Sequence, residues 1–351
     1  MAHRLAAFAL LLGTVACSQP EPAASSTPAA GGARLIERAF TTMGSELRLT
    51  AWTADEPAAL AAFDEVFREF DRLDTMMSVW RAGSEVLALN AAAGEHPVPI
   101  SPEVRETLVA ARQVSDWTGG KFDVTFGVLS GLWRFDEQNQ DNRIPDPAAV
   151  RARLPLIDYR ALVLDEQAGT AFLTKKGMSA HLGGIGKGYA VDRAADLLRG
   201  RGVRNFMIQS GGDLYVGGHT GDRPWRLGIR DPRGPADKSF AALDLSDATF
   251  STSGDYERFF MSGGRRYHHI IDPDLGEPSR GTRSVTIVTS RATLADGLST
   301  GVFLLGPDAG MALIERLPDV EGVIVSAGND VLVSSGLKDR LVRLAPPTDA
   351  P

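Results

Sequence analysis

A single cysteine, Cys17, occurs in the 351 residues, so no disulfide within the chain can hold the fold. Basic charge is in short supply as well: 37 Lys and Arg face 44 Asp and Glu, a formal net charge of −7 with a pI near 5.5. Binding to a phosphate backbone draws on a basic surface, so a non-specific nucleic-acid binder is excluded, and a nucleotide ligand has to be held by local groups. No internal repeat is present. What remains, 43% hydrophobic and 23% charged residues, is an ordinary globular composition, pointing neither to disorder nor to a membrane bundle. The length suffices for one large domain or two packed lobes.

The start of the chain reads as a secretory signal peptide: Met1-Ala2-His3-Arg4 is basic, Leu5 to Val15 is apolar but too short for a stable anchor, and Ala16 is small. Cys17 directly after the apolar run resembles a bacterial lipobox, in which the cysteine is lipidated and becomes the mature N-terminus, with Thr14 where leucine is usual. Ordinary cleavage after Ala16, giving a soluble periplasmic product, is the alternative. Ser18 to Gly32 is rich in Pro, Ala and Ser without apolar period and reads as a flexible tether. The chain therefore divides into a signal peptide (1–17), a tether (18–33) and one globular domain (34–345).

Within that domain, alternation predicts a strand from Glu46 to Trp52. Leu60, Phe63, Phe67, Phe70 and Leu73 recur every three or four residues and predict a long amphipathic helix over Ala58 to Met77. Val104 to Trp117 repeats that pattern and stops at Gly119-Gly120, and Ala190 to Leu198 is helical. Short β-type runs follow at Asn205 to Ile208, Leu214 to Val216, Trp225 to Ile229, Phe240 to Leu245, Tyr267 to Ile271, Ser284 to Val288 and Val323 to Val325. Helical stretches at Ala292 to Leu305 and Gly310 to Leu317 interrupt them. Tight turns such as Gly211-Gly212 and Gly263-Gly264 favour antiparallel pairing, hence an α+β fold of largely antiparallel sheets flanked by helices. Pro145 to Pro155 is dense in breakers and reads as a surface insertion.

The run Leu182-Gly183-Gly184-Ile185-Gly186-Lys187-Gly188 opens a helix and reads as a diphosphate cradle, because glycine lets backbone approach an anion and a helix N-terminus presents unpaired N–H groups. It is not a P-loop, which needs Ser or Thr where Gly188 stands, nor does G-x-G-x-G match the dinucleotide fingerprint. Four more polar clusters stand out: Thr41-Thr42-Met43-Gly44-Ser45; Met77-Ser78-Val79-Trp80-Arg81 with Ser84, Glu85 and Asn90; Gly119 to Thr125; and Ser251 to Tyr256, continued by His268-His269-Ile270-Ile271-Asp272-Pro273 and Asp296 to Thr300.

In this order the clusters resemble the ApbE family of FAD:protein FMN transferases, or flavin-trafficking lipoproteins, from about Phe40 to Gly306. The resemblance rests on the ordered set: Met-Gly-Thr, Ser-x-Trp, Phe-Asp-Val-Thr, Leu-Gly-Gly-Ile-x-Lys-Gly, Gly-Gly-Asp, Thr-Ser-Gly, His-Ile-Ile-Asp-Pro and Asp-x-x-x-Thr all have counterparts. It implies an ApbE-like (T-fold-like) architecture, Mg²⁺ as cofactor, FAD as substrate and transfer of FMN to a threonine of an acceptor protein, with AMP released. Asp296 and Thr300, spaced i, i+4, share one helical face and can offer two oxygens to one ion, and the resemblance adds the Gly184 carbonyl as a ligand. It further implies that Met43, Trp80, Lys121, Phe122, Asp123, His181 and Ile271 contact the flavin nucleotide, that Lys187 neutralises diphosphate charge, and that His269 and Asp296 are catalytic. His268 has no counterpart in the family motif, and Asp255 and Asp272 read as loop-fixing.

Two departures mark this chain. His181 stands where the family has an acid before Leu-Gly-Gly, and Ser45 replaces threonine while keeping the hydroxyl. The same site with water as acceptor gives an FAD pyrophosphatase; a non-catalytic flavin-binding lipoprotein and an envelope carbohydrate or peptide binder are the remaining readings. Localisation is expected in the bacterial envelope, at the inner membrane facing the periplasm through a lipid anchor, with a membrane or periplasmic redox protein as acceptor.

Overall fold

The computed structural model describes residues 32–135 and 142–350, so the signal peptide, Cys17 and nearly all of the tether lie outside the described residues. From Ala33 onward the chain forms one unit. Its frame is an eight-stranded sheet in the order Arg34–Thr42, Ser45–Thr53, Phe206–Ser210, Asp213–Gly217, Ala248–Gly254, Thr282–Thr289, Glu321–Ser326 and Val331–Val333. Every neighbouring pair is antiparallel, as the short glycine turns predict. Gly211-Gly212 joins Ser210 to its partner Asp213, and Gly263-Gly264 closes the hairpin of Phe259–Ser262 with Arg265–His268. Positive φ at Gly211, Gly263 and Gly264 explains the residue type.

The period of two along these strands sends alternate residues to two cores. Val285, Ile287 and Ile324 face a helical layer, whereas Phe250, Val288, Val323 and Val325 face a three-stranded sheet of Trp225–Arg230, Ser239–Leu245 and Val342–Arg343. The helical layer comprises Glu56–Met77, Pro102–Trp117, Gly186–Gly200, Ala292–Leu305 and Pro307–Arg316. The two N-terminal ones start two residues earlier than apolar spacing predicts, because Asp55 and Ser101 cap the N–H groups of Ala58 and Val104 and proline occupies the first turn. Phe63, Phe70 and Leu73 are fully buried, each contributing about 1.5–3 kcal/mol by area.

Three expectations need correction. Tyr267 to Ile271 is not one strand: the ladder of Arg265–His268 ends at His268, and Ile271–Asp272 pairs separately with Glu277–Pro278. The segment around Pro145 is no mere insertion, since Pro147–Arg153 is a helix with Pro147 in its first turn, and Val150 is buried with Leu129, Trp133 and Phe260. Strand Arg34–Thr42 escaped the pattern because five of its nine side chains are charged or polar and most are exposed at the sheet edge.

Candidate active site

Three chain turns meet at one end of the large sheet: Met43-Gly44, Gly211-Gly212 and the end of strand Ala248–Gly254, linked by bonds from Gly211 N to the Glu46 carbonyl and from Thr252 N to the Gly212 carbonyl. Above them stand the starts of helices Gly186–Gly200 and Ala292–Leu305. Between lies a cavity of about 460 Å³ whose walls include Phe122, His181, Gly184, Lys187, His269 and Asp296. Residues as far apart in the sequence as Gly44 and Leu304 therefore reach one space.

The two helices are locked together at the charged corner. Gly188 has no room for a Cβ, which would fall 2.3 Å from the Ala292 carbonyl oxygen and 2.7 Å from the Asp296 Cβ. At this contact the Gly188 N–H donates to Asp296 Oδ2 over 2.9 Å. One turn on, Asp192 accepts from the N–H groups of Ala292 and Thr293 and from the Thr293 hydroxyl, capping the second helix from the first. The cradle reading of the glycine run is thereby changed. The Gly186 N–H is taken by the Leu182 carbonyl and that of Gly188 by Asp296, so glycine serves helix–helix approach there, and Gly183 and Gly184 alone of the run's glycines face the cavity.

Lys187 Nζ lies 2.7 Å from Asp213 and 3.7 Å from Asp296. Burial opposes its charge, but the two carboxylates outweigh it and hold the ammonium above its ordinary range. Burial and the neighbouring Asp213 push the Asp296 carboxyl up to about 7, against the pull of Lys187. Thr300 follows one turn after Asp296; its Oγ1 sits 3.1 Å from Ser253 Oγ and 3.7 Å from where a Gly184 Cβ would be. Asp296 Oδ1 has no hydrogen bond among the described residues. The donor set of one carboxylate, two hydroxyls and a glycine backbone is all oxygen, and no cluster of three His, Cys, Asp or Glu exists among the described residues. Such a set fits a hard cation that keeps water and phosphate in its shell, and does not fit a thiolate- or imidazole-loving metal.

The adjacent histidines are sorted by the fold. His268 is spent on backbone, Nε2 donating to the Ser279 carbonyl and Nδ1 accepting from the Ile270 N–H. His269 lines the cavity with its Nδ1 buried and, among the described residues, without a partner, and burial, helped by Arg258, pulls its pKa down to about 3. His181 is likewise neutral, held down to about 4 by burial and Arg258, and its Nδ1 accepts the Gly183 N–H. An uncharged ring thus shapes the glycine backbone at this position.

Lys121 lines the cavity, but its ammonium is engaged by Asp272 and Asp274, tying segment 119–125 to segment 269–274. Asp123 braces the same loop, accepting from the Thr125 N–H and hydroxyl and from the Tyr159 N–H. Phe122 is both core and wall, with a ring carbon 3.3 Å from the place of a Gly184 Cβ, and Ile271 faces the cavity beside it. Met43 and Trp80 are not among the lining residues. Met43 occupies a two-residue turn with Gly44, at φ 48°, and packs on the core. Trp80, just after the helix that ends at Met77, is 80% exposed. Asp255 does fix a loop, in a bidentate pair with the buried Arg233 at 2.6 and 2.7 Å.

Sequence reasoning passed over Asp213, Ser253, Phe126 and Arg258, all of which line the cavity. Asp213 and Ser253 stand inside the Gly-Gly-Asp and Thr-Ser-Gly motifs, so the signal was present. Arg258 had none, because a charged residue in a loop looks like any surface arginine.

The ApbE family model matches residues 43–324. FAD:protein FMN transferases of Klebsiella pneumoniae (34% identical; 86% of this chain, 92% of that one) and Treponema pallidum (33%; 89% and 90%) align along nearly their whole length. Among solved structures, the ApbE protein of Thermotoga maritima superposes with a TM-score of 0.80 at 30% identity over 88% of this chain and 99% of that one. The flavinyl transferase ApbE of Pseudomonas stutzeri does so at 0.76 and 30%, over 88% and 97%. With the family model matching residues 43–324 and relatives at 30% identity or more aligned over nearly their whole length, the chain belongs to the ApbE family.

Proposed function

We propose that this chain transfers the FMN half of FAD to a threonine hydroxyl of an acceptor protein and releases AMP, with Mg²⁺ as cofactor. The observation that carries the reading is the meeting of Gly184, Asp296 and Thr300, an all-oxygen set, with Lys187 and His269 in one cavity. Gly184, Asp296 and Thr300 would hold the cation, which when bound would draw charge off the diphosphate. The threonine oxygen bonds to the FMN phosphorus as the bridging P–O bond breaks, and AMP leaves with that electron pair. Asp296 is placed to take the hydroxyl proton, and Oδ2 stays anchored by the Gly188 N–H meanwhile. Neutral His269 offers a hydrogen bond to a phosphoryl oxygen without adding charge.

Export with lipidation at Cys17 is part of the same proposal, placing the enzyme beside a membrane or periplasmic redox partner. Mass spectrometry of a candidate acceptor domain incubated with the mature protein, FAD and Mg²⁺ should show one FMN increment on threonine. FAD binding without any increment on any acceptor would overturn the transfer reading. Release of FMN and AMP in acceptor-free incubations would instead favour water as the acceptor.

A further inference from the structure

The charge balance of the cavity leaves one cation without an internal counter-ion. Among the described residues, the lining cations are Lys121, Lys187 and Arg258. Lys121 is held between Asp272 and Asp274, each at 2.8 Å, and Lys187 lies 2.7 Å from Asp213. The N–H groups of Gly186 and Gly188, at the helix start, are likewise committed to Leu182 and Asp296. The groups that the sequence offers for diphosphate are therefore largely satisfied within the protein.

Arg258 is different. It is exposed on the cavity wall, and among the described residues no ion pair, hydrogen bond or ring contact engages its guanidinium. Its backbone is fixed nonetheless: the carbonyl of Arg258 accepts the N–H of His269, which pins the loop to the histidine segment. Two elements away, Arg233 holds Asp255 in a buried pair and so anchors the loop's other end. The positive charge acts on both cavity histidines, disfavouring protonation of His181 and His269. Glu257, the adjacent carboxylate, turns to Arg230 at 3.5 Å.

We infer that Arg258 is a substrate-binding residue that grips the diphosphate of FAD through its guanidinium, as the cavity's uncommitted cation. This assignment rests on the proposed use of FAD. Arginine suits the task because its planar fork matches two phosphate oxygens and remains charged at any working pH. The physical demand is plain: a dianionic diphosphate entering a cavity that already carries Asp123, Asp213, Glu257 and Asp296 needs a counter-charge besides a bound cation.

Calorimetric titration of FAD into the full mature chain at fixed Mg²⁺ tests this with Arg258→Met and Arg258→Lys. A charge-assisted hydrogen bond is worth about 1.5–3 kcal/mol, so Arg258→Met should weaken FAD binding about 10- to 100-fold. Arg258→Lys should recover part of that loss, and the unliganded melting temperature of both should stay at the wild-type value. Riboflavin, which has the ring and no phosphate, should bind wild type and Arg258→Met alike. FAD affinity of Arg258→Met within about twofold of wild type would overturn the assignment, as would an equal loss for riboflavin. If wild type binds FAD tightly but modifies no acceptor, the transferase reading fails while the role of Arg258 is still decided by the binding data.

Discussion

Replacing Gly188 with alanine tests whether the glycine run serves helix packing or ligand approach. The added methyl would fall 2.3 Å from the Ala292 carbonyl oxygen and 2.7 Å from the Asp296 Cβ, and neither is the free end of a flexible chain. Restoring ordinary contact requires helices Gly186–Gly200 and Ala292–Leu305 to part by about 1 Å. Overpacking of that kind costs about 1–3 kcal/mol. Weakening the 2.9 Å bond from the Gly188 N–H to Asp296 adds about 1 kcal/mol or more. At roughly 2–4 °C per kcal/mol for a domain of this class, the melting temperature should fall by about 5–15 °C. Because Asp296 rides on the displaced helix, transfer should fall about 100-fold, in line with the effect of an ångström-scale misplacement on a reacting geometry. Scanning calorimetry and the FMN mass increment read the two effects separately. Gly200→Ala, where nothing lies within 4 Å of the new Cβ, is the matched control and should be neutral or stabilising by about 0.5–1 kcal/mol. A Gly188→Ala protein with wild-type melting would refute the packing argument.

Asp296→Asn should abolish FMN transfer yet raise the metal-free melting temperature, since a carboxyl held near 7 is costly when charged; a lower melting temperature would contradict the sign. Asp192→Ala removes the cap that fixes the helix of Asp296 and Thr300 and should cost about 1–2 kcal/mol, with Mg²⁺ affinity reduced in titrations and the folded sheet intact by circular dichroism. His181 and His269 have folded-state pKa values of about 4 and 3, below the ordinary 6.5, so the unfolded chain takes up protons first as pH falls. Stability should therefore drop below about pH 6.5, by about 2–3 kcal/mol per histidine by about pH 4.5, and His269→Gln should lose less than wild type in urea unfolding. Equal losses in both proteins would count against a neutral buried His269.

Legibility in the sequence followed how local each cause was. The helix Ala292–Leu305 was read to the residue, and the pairing of Asp296 with Thr300 needed nothing beyond the i, i+4 geometry of a helix. The Gly263-Gly264 hairpin was legible because two adjacent residues at positive φ are a local demand that glycine meets. Arg34–Thr42 was not, as an edge strand need not bury either face and so carries no pattern. The role of Gly188 was misread in kind: close approach was inferred correctly, but its object is the Ala292 carbonyl, about a hundred residues away.

The order of the motifs alone, from Met43-Gly44-Ser45 to Asp296 and Thr300, was enough to identify the family and the chemistry to expect, because reactive residue types at set spacings survive without knowledge of the fold. Which charges remain available is a different matter. Lys121 and Lys187 look alike as phosphate partners in the chain, and only folding brings Asp272, Asp274 and Asp213 against them. His268 and His269 are neighbours whose fates part because one reaches the Ser279 carbonyl and the other faces the cavity. Partnership between charges depends on distance in space, falling steeply over a few ångströms and with exposure to water, and those distances exist only once the sheet and its helices are assembled.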